Sequence, residues 1–168
     1  MKQDYIFRKI DYHGDNISRV NKVYDKIREL LNQGVLEYKI RQLKSVDDSL
    51  LNTSREESWN EALDSETEAH ERLKAYAATY IRDSGKEPVF EQPCWFGVAD
   101  IGTADQTVFA EAGKIDINKL LKAFGYAADH QYFGEKHDMY GMADRLLILP
   151  YSINANSSTA RAIDLMRK

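Results

Sequence analysis

Two strand-like runs, residues 95–101 and 106–113, each carry one carboxylate among apolar neighbours, and only a short turn at Thr103, Ala104 and Asp105 separates them. So short a connection predicts an antiparallel hairpin. Residues two apart on a strand share a face, so Val98 and Asp100 lie on one side of the first run. Phe109, Glu111 and Gly113 lie on one side of the second. With the hairpin in register, Asp100 and Glu111 meet. An unpaired buried carboxylate costs on the order of several kcal/mol or takes up a proton, and two close together repel strongly. A divalent cation between them removes both penalties. Mg²⁺ or Mn²⁺ fits best, since hard cations take oxygen ligands and keep several waters. An ion so held positions water for attack on a phosphodiester.

The segments around the hairpin read in a definite order. Ser65, Glu66, Thr67 and Glu68 form a capping box that opens a helix, whose stripe is Ala69, Leu73, Tyr76, Ala77, Tyr80 and Ile81. Asp83, Ser84 and Gly85 end it, and residues 88–94 form a strand ahead of the hairpin. Asp116 caps a further helix through Leu120, Leu121 and Phe124 towards Ala128. The continuous apolar run 145–151, closed by Pro150, reads as a strand buried on both faces. Upstream, Tyr5 and Phe7 suggest an edge strand ending near His13. A helix with Ile17, Val20, Val23, Tyr24, Ile27, Leu30 and Leu31 follows, with Gly34 as its left-handed stop. Residues 35–51 fit either a helix or a strand with a loop, residues 52–64 a polar loop, and residues 160–168 a terminal helix. No break in composition divides the chain. It is expected to be a single α/β domain over 1–168, with a strand and helical addition at 1–64, a core at 65–151 and a C-terminal helix within 152–168.

Charge and cysteine content narrow the setting. A net charge of −4 argues against a surface coated for non-specific DNA binding. It leaves room for local basic clusters such as Lys39, Arg41 and Lys44. One cysteine, Cys94, permits no internal disulfide and no Cys-rich zinc site, and suits a reducing cytoplasm. The N-terminal residues lack the pattern of a secretory signal, and no apolar run approaches the roughly 20 residues that span a bilayer.

The order helix, three strands, helix, strand over residues 65–151 resembles the PD-(D/E)xK, or restriction-endonuclease-like, superfamily of nucleases. That resemblance implies an αβββαβ core and metal-dependent hydrolysis of DNA, single-stranded or branched forms included. It assigns Asp100 and Glu111 as metal ligands and acids of the centre, and gives Glu66 or Glu68 the acidic place on the first helix. The segment 66–74 is similar to the helix of competence-type members, which makes Glu91 a further candidate metal ligand. The chain departs from the motif at Gly113, where the superfamily places a lysine two residues after the acid. Lys119 on the following helix is the first substitute and Lys114 the second. Without either, a nuclease fold serves as a binding or inhibitory module, in phage defence or counter-defence or inside a larger assembly. A homodimer that builds one DNA channel is compatible with both readings.

Each residue also has a plainer explanation. Asp100 can cap the turn at Ile101 and Gly102, and Glu111 can be an edge-strand acid beside a bulge. Glu66 and Glu68 suit the positive end of a helix dipole, and His70 a partly buried helix position. Asp129, His130, His137 and Asp138 are metal-ligand types with no ligand spacing. The tyrosine-rich stretch with Tyr126, Tyr132, Phe133 and Tyr140 suits base stacking or a protein contact.

Overall fold

The computed structural model describes residues 10–13, 17–50, 65–126, 141–154 and 159–168, with the side chains of 13, 17–20 and 65–67 left aside. The expected strand at Tyr5 and Phe7, the 52–64 loop and the stretch 127–140 lie outside these residues.

The chain is a mixed α/β protein. Its elements are β1 (Tyr12–His13), α1 (Ile17–Asn32), β2 (Leu36–Leu43), α2 (Ser65–Asp83), β3 (Pro88–Cys94), β4 (Gly97–Thr103), β5 (Val108–Gly113), β6 (Ile115–Asp116), α3 (Ile117–Ala123), β7 (Arg145–Pro150) and β8 (Ala160–Arg167). Six strands form one sheet in the order β2-β8-β7-β5-β4-β3, and β1 pairs with β6 in a small second sheet. Within the large sheet β5 and β7 run parallel and the other neighbours antiparallel.

Helices cover both faces of the central strands. On one face Val23, Ile27 and Leu30 of α1 and Leu120 and Leu121 of α3 meet Phe109, Leu146, Ile148, Ile163 and Leu165. On the other, Leu73, Tyr76, Ala77 and Ile81 of α2 pack over Ala110, Ala112, Leu147, Leu149, Ala160 and Ala162. The alanine floor under α2 lets the helix lie close to the strands, which brings its polar side chains within reach of the sheet. α1 closes as its sequence predicts. Gly34 takes φ +74, a conformation cheap for glycine, and the Val35 amide donates to Leu30 O at 3.0 Å. Asp116 caps α3, accepting from the Asn118 amide at 3.1 Å.

Two expectations resolve differently from the sequence reading. Residues 36–43 are strand, which decides between the two options left open for 35–51. The terminal helix expected over 160–168 is instead the strand β8, paired with β2 on one side and β7 on the other. Ala160 and Ala162 face α2, while Ile163 and Leu165 face α1 and α3. A strand apolar on both faces has lost the alternation that would distinguish it from a short buried helix.

Candidate active site

Three acids share one row across three consecutive strands. The pairs Phe90–Ile101 and Gln92–Ala99 flank Glu91 and Asp100, so those two lie opposite each other. The pair Ile101–Ala110 sets Asp100 against Glu111 one step further on. β3 and β4 pair along their length except at Glu91 and Asp100, whereas β4 and β5 pair in the ladder at Ile101–Ala110 alone. Beyond that point side chains replace main-chain partners. The Asp100 amide donates to Glu111 Oε2 at 2.8 Å, and the Ala112 amide donates to Asp100 Oδ2 at 2.9 Å. Each acid therefore hydrogen-bonds to the other's strand, which satisfies the backbone amides that the ladder leaves free.

Cations approach this pair from both helix layers. From α3, Lys119 Nζ donates to Glu111 Oε1 and to Val98 O, both at 2.8 Å. From α2, His70 Nε2 stands 3.6 Å from Asp100 Oδ1, an electrostatic contact longer than a hydrogen bond. The two acids respond differently. Burial, reinforced by the charge of Asp100, pushes the Glu111 carboxyl up to about 7, although Lys119 and the Asp100 amide pull the other way. Burial also raises Asp100, but His70 and the Ala112 amide outweigh it and hold the group below its ordinary value. Burial lowers His70 and Asp100 raises it, with a net rise. Lys119 likewise loses from burial and gains more from Glu111, so it too is raised. At neutral pH one acid is firmly charged and its neighbour is poised to give up or take a proton.

The remaining candidates are distributed around this centre. The side chain of Glu91 is 58% exposed and turns to Lys74 rather than to the acid pair. Its φ of +52 puts it in the left-handed region, strained for a residue with a Cβ, and the Lys74 contact helps to hold it there. Lys114 is exposed past the turn at Gly113, and Glu68 is exposed in the first turn of α2. The side chain of Glu66 lies outside the described residues. Lys119 stands at hydrogen-bond distance from Glu111. Gly113, where the motif would carry lysine, has φ +79. A Cβ there would lie 2.7 Å from Tyr151 Cζ and 3.0 Å from His70 Nδ1. Tyr151 and His70 fill the space that a strand lysine would need.

Three neighbours of the acids were not singled out by sequence reasoning: His70 as a partner of Asp100, Lys74 and Tyr151. Lys74 is 1% exposed, and its ammonium also lies 3.7 Å from Glu71 Oε1. Its signal was available, because Lys74 stands four residues after His70 and between the stripe positions Leu73 and Ala77, on the arc that α2 buries. Tyr151 gave none, since its position follows from how β7 ends.

Comparison with protein-family models, curated proteins and solved structures finds no match for the chain. Among the described residues no three His, Cys, Asp or Glu side chains group as a metal-holding set. Two adjacent carboxylates do suit a cation that keeps most of its waters. The raised Glu111 is the observation favouring that fit, because a divalent charge beside it would return the carboxyl to its ionised form. Among the described residues no helix is long and apolar enough to cross a membrane.

Proposed function

We propose that the chain hydrolyses DNA phosphodiester bonds through a PD-(D/E)xK-like centre, with Asp100 and Glu111 holding Mg²⁺ or Mn²⁺. The observation that carries this reading is the pairing of buried Glu111 with part-buried Asp100, with Lys119 at 2.8 Å from Glu111. The element order supports it as well. α2, β3, β4, β5, α3 and β7 follow the αβββαβ succession, with an antiparallel meander and β7 parallel to β5. A bound cation would supply Lewis-acid charge and a water of lowered pKa. The chain's own residues have separate tasks. Asp100, kept ionised by His70 and the Ala112 amide, would hold the cation together with Glu111, which would give up its proton and its contact with Lys119. Lys119 offers a positive charge at the rim of the site to the phosphate. The single cysteine suits such an enzyme in the cytoplasm.

A second reading, a nuclease fold that binds or inhibits without cutting, draws on Gly113 and on the closed hydrogen bonds between the two acids. Plasmid and single-stranded DNA incubated with Mn²⁺ separate the two. Cutting by the native chain and none by Asp100→Ala is the expected result. Equal cutting by both removes the proposed centre, and no cutting with no calorimetric heat at millimolar Mn²⁺ selects the second reading.

A further inference from the structure

A second polar cluster lies in the sheet away from the acids. Asp164 of β8 is fully buried, and two arginines share its carboxylate. Arg145 donates through Nε to Oδ1 at 3.2 Å and through Nη2 to Oδ2 at 2.7 Å, and Arg41 donates through Nε to Oδ2 at 2.9 Å. Arg145 Nη2 also reaches Tyr80 Oη at 3.2 Å. One arginine would neutralise this acid, and the second leaves an excess of positive charge. Among the described residues Arg41 donates through Nε alone, and its side chain is one-third exposed, so its terminal nitrogens remain for an outside acceptor.

The surroundings extend the excess. Lys39 sits opposite Asp164 in the β2–β8 register, shares a strand face with Arg41, and is exposed. Lys44, exposed, follows directly after β2. Of the acids near in sequence, Glu37 faces Lys168 at 3.6 Å and Asp47 accepts from Arg82, while Asp48 is exposed past Lys44. Two arginines thus share the buried acid, with Lys39 opposite it and Lys44 beyond the Leu43–Ala160 pair, on a chain whose net charge is −4. Among the described residues β2 is the edge of the sheet, and no strand stands between Lys39, Arg41 and solvent. Asp164 pairs with Leu147, and Leu147 with Ala110, the neighbour of Glu111. Two strand spacings, about 10 Å, separate β8 from the strand of the acid pair.

We propose that Lys39, Arg41, Lys44 and Arg145 form a contact for the phosphodiester backbone of single-stranded nucleic acid, with Asp164 fixing the two guanidinium planes. The inference deepens the reading of the acid pair by giving its substrate a second point of attachment a few nucleotides from the scissile bond. Guanidinium groups held by a buried carboxylate are pre-organised for phosphate oxygens, and the flanking lysines add point charge.

The test is fluorescence anisotropy with a labelled single-stranded oligonucleotide, in EDTA so that no cutting intervenes, over a series of salt concentrations. Single-strand affinity falls with salt at a log–log slope of about 0.7 per phosphate neutralised. The Lys39→Ala/Lys44→Ala double variant should bind several-fold more weakly, with a slope shallower by about 1.4. Arg41→Ala should flatten the slope by about 0.7. Both lysines are exposed, so the double variant keeps its fold, and thermal melting checks that it does. Affinity and slope unchanged in the double variant overturn the inference. Inorganic phosphate is the second probe. If it competes as well as the oligonucleotide does per phosphate, the site is a single-anion pocket and the backbone contact is overturned. Cutting assays with Mn²⁺ on the native chain separate the two readings: binding that depends on the basic residues with no cutting by the native chain keeps this inference and removes the hydrolytic one. Cutting that depends on Asp100 with binding indifferent to Lys39 and Lys44 does the reverse.

Discussion

Replacing Glu111 by glutamine should make the protein more stable than the native chain at alkaline pH, and the gain should vanish in acid. The Glu111 carboxyl moves from an ordinary value of 4.5 to about 7 on folding. An acid whose pKa is raised in the folded state favours folding below its unfolded value, and that advantage is lost as pH rises through the folded value. The shift corresponds to about 3 kcal/mol between pH 4.5 and 8. Glu111→Gln removes the titrating charge and leaves Lys119 with Val98 O at 2.8 Å and a route to water. That loss costs about 1 kcal/mol and does not vary with pH in this range. Asp100 and His70 are present in both proteins and cancel to first order in the comparison. Urea titrations at intervals from pH 4.5 to 8 give the two stability curves. The difference between them should swing by about 3 kcal/mol towards the variant as pH rises. Parallel curves would show that Glu111 is ionised at ordinary pH and that burial beside Asp100 does not strain it. Mn²⁺ at 100 times its Kd should then stabilise the native chain at pH 8 by about 2.7 kcal/mol and the variant far less.

Gly113→Ala should lower stability by about 2 kcal/mol or more, from the positive φ and the collision with Tyr151, and a urea midpoint measures it. Adding Tyr151→Ala should leave the positive φ cost, about 1 kcal/mol, unrelieved. The Lys74–Glu91 pair should behave asymmetrically. Lys74→Met takes the cation from Glu71, which is 16% exposed, as well as from exposed Glu91, and should cost about 2–3 kcal/mol in thermal unfolding, whereas Glu91→Gln keeps an amide oxygen for the buried ammonium and should cost about 1 kcal/mol. Equal losses from the two changes would contradict this account of the burial.

Local chemistry was legible wherever a short stretch of sequence carried its own cause. Gly34 ends α1 because the left-handed turn favours glycine, and Asp116 caps α3 because its carboxylate reaches the amide two residues on. The hairpin of β4 and β5 was legible because a short turn leaves one way to pair. That same register is what brought Asp100 and Glu111 together, so the centre of the site could be named from residues 95–113. The order of elements from α2 to β7 was legible for the same reason, each one having its own start and stop.

Other features depended on partners far along the chain. β8 was misread because a strand buried on both faces carries no period-two pattern, and only its place between β2 and β7 forces it to extend. His70, Lys74 and Tyr151 became neighbours of the acids because alanines at 110 and 112 let α2 settle close and because β7 ends beside Gly113. Asp164 found Arg41 across β2 and Arg145 across β7, a contact between residues up to 123 positions apart. Sequence by itself determined α1, most elements from α2 to β7 and the acid pair, since turn, cap and alternation act over a few residues. Tertiary structure decided which charges stand beside that pair and where the excess positive charge collects. Coulomb energy and burial depend on distance in space, and chain order does not encode that distance.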